Sequence, residues 1–102
     1  MQELNLYSKI EKFLDFADEI KALHQTFKEI IEELNPTSLI DIGCGQGDFL
    51  LSLDNKIDTL GIDLSDEAIA LAKAKQLNAQ NIDLCKVDKK FQCATAIFDV
   101  IN

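Results

Sequence analysis

Residues 39–47 read Leu-Ile-Asp-Ile-Gly-Cys-Gly-Gln-Gly. Three of the chain's four glycines, Gly43, Gly45 and Gly47, stand here at every second position, just after Asp41. Glycine tolerates positive φ and carries no side chain to obstruct a ligand. Placed between a strand and a helix, such a run lets a ligand come close to backbone and to the unpaired N–H groups of the helix start. The dinucleotide fingerprint G-x-G-x-x-G seats a pyrophosphate there. In this chain the third glycine comes one residue early, and Asp48 occupies the position that pattern reserves for glycine. Asp41 and Asp48 are poor neighbours for pyrophosphate and suit a ligand with positive charge. That spacing disfavours a nicotinamide oxidoreductase. Asp63 follows 22 residues after Asp41. A carboxylate at the end of a second strand accepts hydrogen bonds from both hydroxyls of a ribose. The combination reads as a nucleoside site without a phosphate.

These residues need a scaffold. Apolar residues from Leu6 to Leu34 recur in steps of three or four, which predicts one long amphipathic helix. Asn35-Pro36 ends it, because proline disfavours the helical conformation in the residue before it. The period then shortens. Ser38–Ile42 and Thr59–Ile62 read as buried strands, and 47–53 as a short helix between them. Ser65 caps a helix from Asp66 to about Leu77, with Asp66 and Glu67 at the positive end of its dipole. Ile82–Val87 and Phe91–Phe98 read as a third and a fourth strand. Strands alternating with helices predict a parallel α/β sheet. Only Asp88-Lys89-Lys90 would link the last two strands, far short of the dozen residues that a parallel crossover takes.

Composition sets outer bounds. The chain has 102 residues, 47% apolar and 27% charged, enough for one small folded unit. No apolar run approaches a membrane span, and the N-terminus has no apolar signal core, so a cytoplasmic protein without membrane contact is expected. Cys44, Cys85 and Cys93 form no C-x-x-C pair, and with a single histidine, His24, no metal site is expected. Net charge is −8, which argues against nucleic acid as a partner and for a small-molecule substrate.

Asp-Ile-Gly-Cys-Gly-Gln-Gly followed by Gly-Ile-Asp-Leu-Ser resembles the class I S-adenosylmethionine-dependent methyltransferases, from about Ser38 to Asn102. The resemblance implies a Rossmann-like α/β sheet, of which this chain holds the first half: a helical segment, 1–36, then an incomplete cofactor-binding domain, 37–102, with about four parallel strands. It implies that Asp41 and the loop Gly43-Cys44-Gly45, continued by Gly47, line the methionine end of S-adenosylmethionine. Asp63 then holds the ribose, Leu64 lies against the adenine, Asp88 stands near the adenine amino group, and Asp99 lies near the amino-acid part. The position of Cys44 accepts many small residues in the family, so packing is expected of it. The Asn/Asp-Pro-Pro-Tyr motif of many amino-methyltransferases is replaced here by Asp99-Val100-Ile101-Asn102. No catalytic residue is assigned; His24 and Tyr7 are weak candidates for a base. The expected activity is methyl transfer to a small-molecule acceptor. The alternative is a non-catalytic module that self-associates through an exposed sheet edge.

Overall fold

The computed structural model describes residues 2–97, with side chains from residue 18 onward. Helix α1 runs Gln2–Leu34. It ends as expected: Asn35 takes a left-handed φ of 49°, its N–H donates to the Ile31 carbonyl at 2.8 Å, and Pro36 follows. Then come β1 (Ser38–Ile42), α2 (Asp48–Ser52), β2 (Asp58–Ile62), α3 (Asp66–Ala74), β3 (Ala79–Gln80), a 3-10 turn (Leu84–Lys86) and β4 (Cys93–Thr95). Ser65 caps α3, its hydroxyl accepting from the Ala68 N–H at 3.2 Å. Helix α3 stops earlier than its apolar pattern suggests. The Gln76 N–H donates to Lys73 and the Leu77 N–H to Ala72, with Gln76 at φ 65°. This is a Schellman closure with glutamine in the position glycine usually holds.

The four strands form one parallel sheet in the order β3-β2-β1-β4. Strand β1 is central, with Asp41 opposite Gly61 of β2 on one side and opposite Thr95 of β4 on the other. Side chains alternate across the sheet. Leu39 faces the helices and joins Ile31, Phe49, Leu50, Ile69 and Ala72 in the main core. Ile40, Leu60 and Ile62 face the other way and form a second apolar layer. Gly61 lets α2 sit close to the sheet: a Cβ there would lie 2.7 Å from Leu50 Cδ1 and 2.8 Å from Cys44 Sγ.

Two strand expectations are corrected. Ile82–Val87 is not a strand; the third strand is Ala79–Gln80, and the chain then leaves the sheet. Asp83 causes the departure. Its Oδ1 accepts from the Cys85 N–H at 2.9 Å and caps the 3-10 turn, a local bond that replaces a ladder bond. The fourth strand is shorter than read, Cys93–Thr95, and Phe98 lies outside the described residues. The problem of the short link disappears with this topology. Strands β3 and β4 lie on opposite edges, and residues 81–92 cross the second face of the sheet, where Ile82, Val87 and Phe91 pack against Ile40, Leu60 and Ile62. Gln92 anchors the arrival, its Oε1 accepting from the Thr37 N–H and its N–H donating to Ser38 Oγ. Among the described residues, no helix is long and apolar enough to cross a membrane.

Candidate functional site

The strand order reverses at β1: the chain goes from β1 to β2 and β3 on one side, then returns to place β4 on the other. Ligands of open α/β sheets bind at the carboxyl edge beside such a reversal. The glycine loop leaves β1 at that edge. The N–H groups of Gly43 and Cys44 both donate to the Ile62 carbonyl, at 2.8 and 2.9 Å, which hooks the loop onto the end of β2. Gly43, Gly45 and Gly47 all have positive φ.

Two of these glycines do different work. Gly45, at φ 58°, faces open space, with nothing within 4 Å of where a Cβ would stand. Gly47 is buried, and a Cβ there would lie 2.3 Å from Leu77 Cδ1, so its bareness serves the packing of the loop against the end of α3. The sequence reading assigned both to the ligand floor; in the structure Gly45 faces open space and Gly47 faces the core. From outside, the loop is tied by Lys75, whose ammonium donates to Gln46 O at 3.1 Å, Gln46 Oε1 at 3.3 Å and Asp48 Oδ1 at 2.8 Å. From inside, it is tied by Asp63. Its Oδ2 accepts from the Gly45 N–H at 2.9 Å, and its Oδ1 accepts from the Ser65 N–H at 2.9 Å. The strand-end carboxylate and the glycine bend are thus in direct contact, 18 residues apart in sequence.

A cavity of about 350 Å³ lies against Asp63. Its walls are Ile42 and Gly43 at the end of β1, Ile62 to Leu64 at the end of β2, and Ile82 to Leu84 at the entry to the 3-10 turn. A second cavity of about 600 Å³ lies over Gly45, between the loop, α1 and α3. Gly43 and Leu64 line the first cavity together with Asp63, Leu64 largely exposed. Asp88 does not. It lines a separate hollow with Leu60, Val87 and Phe91 on the second face of the sheet. The acid after β3 that lines the cavity beside Asp63 is Asp83, which the sequence reading did not name because the third strand was drawn several residues late. Its signal was an acid soon after Gln80. Asp99 lies outside the described residues.

Asp41 is 2% exposed and does not face either cavity as an open carboxylate. Its Oδ1 accepts from Thr95 Oγ1 at 2.8 Å, across the β1–β4 pair. It acts on the site through its charge. Burial pushes the Cys44 thiol up from its ordinary value of 9.0 to about 11, and the charges of Asp41 and Asp63 push the same way. The thiol donates to the Gly45 carbonyl at 3.3 Å. Cys44 is therefore a packed, protonated group and not a nucleophile. At pH 7.5 a maleimide is expected to label exposed Cys85 rapidly and Cys44 only as fast as the fold opens. The raised value also means that the folded state holds this proton more tightly than the unfolded chain. Its contribution to stability is complete below pH 9 and is lost as pH rises towards 11, visible as a falling urea midpoint over that window.

The same negative field favours a ligand bearing positive charge. An apolar slot, a carboxylate at its mouth and bare backbone beside it fit the base, ribose and sulfonium of S-adenosylmethionine. Among the described residues no cluster of histidine, cysteine, aspartate and glutamate holds a metal.

Comparison with known proteins agrees with this geometry. The profile of a family described as methyltransferase domain matches residues 33–102. The chain is 39% identical over 88 residues to the 23S rRNA (uracil(747)-C(5))-methyltransferase RlmC of Shewanella pealeana, covering 84% of this chain and 22% of that protein. It is 33% identical over 98 residues to RlmC of Pectobacterium atrosepticum, covering 92% of this chain and 26% of that protein. The crystal structure of the plantazolicin methyltransferase BpumL, in complex with a monoazolic desmethylPZN analog and SAH, superposes with a TM-score of 0.59 and 28% identity over 78% of this chain and 34% of that one. This chain thus spans only about a fifth to a quarter of the length of these curated relatives.

One expectation falls here. The net charge argued against nucleic acid as a partner, yet these relatives are named for methylating 23S rRNA. Summed charge over one segment says little about which face, or which other part of a longer protein, meets a polyanion. With its sheet order, its glycine loop and a matching profile over residues 33–102, the chain belongs to the methyltransferase-domain family, among the class I enzymes that depend on S-adenosylmethionine.

Proposed function

We propose that this chain is the cofactor-binding part of an S-adenosylmethionine-dependent methyltransferase whose acceptor is a base in RNA. The observation that carries the first half is the contact of Asp63 with the Gly45 N–H beside the 350 Å³ cavity. In this reading Asp63 accepts the ribose hydroxyls and Leu64 and Leu84 flank the adenine. Asp83 accepts from the adenine amino group, with the oxygen that the 3-10 turn does not use. Gly43 and Gly45 give the remainder of the cofactor access to backbone. Asp41 and Asp63 supply negative potential beside the sulfonium. When bound, the cofactor brings a methyl group already activated by the sulfonium. What the protein adds is chiefly alignment of that methyl with the acceptor atom. The RNA half of the reading is supported by identity of 33–39% to relatives named as rRNA methyltransferases.

Calorimetric titration of the folded chain with S-adenosylhomocysteine is expected to show one site per chain; a folded sample that releases no heat overturns the cofactor reading. Transfer of radiolabelled methyl from S-adenosylmethionine to a 23S rRNA transcript by the whole protein tests the acceptor, and label retained wholly by the cofactor overturns it.

A further inference from the structure

Three glycines in five residues leave the bend at 43–47 little stiffness of its own, so its shape depends on what holds it. Each of its last three residues has a holder. Gly45 is held from inside, its N–H donating to Asp63 Oδ2 at 2.9 Å. Gln46 is held from outside: the Lys75 ammonium donates to its carbonyl at 3.1 Å and to its Oε1 at 3.3 Å. Gly47 is packed against Leu77. Lys75 and Leu77 belong to one feature, the closure of α3. Lys75 is the C-cap, and Gln76 between them takes φ 65° and turns the chain. The start of α3 meets the same bend through Asp63, whose Oδ1 accepts from the N–H of the Ser65 cap at 2.9 Å. Helix α3 thus braces the bend at both ends, by way of Asp63 at its start and directly at its finish. The Lys75 side chain is 29% exposed, and its three donors meet three oxygens, the third being Asp48 Oδ1 at 2.8 Å. Lys75 lines neither the 350 Å³ cavity nor the 600 Å³ cavity, so any effect it has on a ligand there passes through the bend.

Resting on the cofactor reading, we propose that Lys75 is a positioning residue for S-adenosylmethionine: by holding the Gln46 carbonyl from outside, it fixes the bend in the shape that the cofactor meets. A bend ordered in advance loses less conformational freedom on binding, and the difference appears as affinity. The hold on Gln46 carries this role, and the ion pair with Asp48, at a more exposed carboxylate, adds less.

Lys75→Met keeps the apolar stem and removes the ammonium. It is expected to weaken S-adenosylhomocysteine about threefold to tenfold in calorimetric titration, with Lys75→Arg restoring most of the loss. Asp48→Asn leaves the bonds to Gln46 in place and should cost less than Lys75→Met. The amide resonance of Gly45 in the ligand-free, 15N-labelled chain reports the shape of the bend, since that N–H bonds to Asp63 and not to Lys75. It should move in Lys75→Met and return in Lys75→Arg. A lysine that served stability alone would lower the urea midpoint and leave both readouts unchanged in the folded chain. Equal affinity of wild type and Lys75→Met, a loss that arginine does not restore, an unmoved Gly45 amide, or an Asp48→Asn loss as large as that of Lys75→Met overturns the inference while the cofactor reading stands. A folded wild-type chain that binds no S-adenosylhomocysteine overturns the cofactor reading, and this inference with it.

Discussion

The Asp63→Ala chain is expected to bind S-adenosylhomocysteine about 1–3 kcal/mol more weakly than wild type, roughly a 5- to 150-fold rise in Kd. Two losses combine. The ribose hydroxyls lose their acceptor, and the Gly45 and Ser65 N–H groups lose theirs, at 2.9 Å each. Because Gly45 sits at φ 58° with open space beside it, loss of that bond is expected to loosen the glycine bend as well. Asp63→Asn keeps one acceptor oxygen and should fall between wild type and alanine. Calorimetry on the three chains orders them; alanine and wild type of equal affinity would remove Asp63 from the site.

Phe49→Ala should lower the free energy of unfolding by about 3–5 kcal/mol, a large part of the 5–15 kcal/mol that holds a typical domain. Phe49 is the largest fully buried side chain described, 2% exposed, and it meets the rings of both His24 and Phe27 of α1 at their edges. It is also one of two buried residues in α2, a helix of five residues that has no independent stability. Truncating it removes the ring contacts between α2 and α1 and leaves a void in the main core. Since α2 starts directly after Gly47, cofactor affinity should fall as well. Urea unfolding measures the first effect. A loss below about 1 kcal/mol would show that the site tolerates a void and that α2 is held by something else.

The relatives show where composition misleads. A net charge of −8 was read as evidence against RNA, yet the relatives are rRNA methyltransferases. Many of the charges have local duties: Asp48 pairs with Lys75, Asp58 with Lys89, and Asp63, Asp83 and Asp66 hold loop or side-chain N–H groups. A sum over such residues carries little information about an acceptor surface.

Features encoded within a few residues were legible before any fold was known. The glycine bend, the end of α1 at Asn35-Pro36, the Ser65 cap and the position of Asp63 follow from backbone preferences and side-chain acceptors that act over two to four residues. The strand pairing was not legible. Strand β3 has two residues and β4 has three, too short to show a period, and Ile82–Val87 reads as a strand while forming a 3-10 turn and part of a crossing. That crossing placed Asp83 in the cavity beside Asp63 and Asp88 in a separate hollow, and brought Thr95 to Asp41, 54 residues away. Packing against Leu77 likewise sets Gly47 against the core. The physical reason is common to all of these. A bend or a cap is satisfied by neighbours in the chain, whereas a buried strand or carboxylate is satisfied by whichever distant segment the core brings beside it.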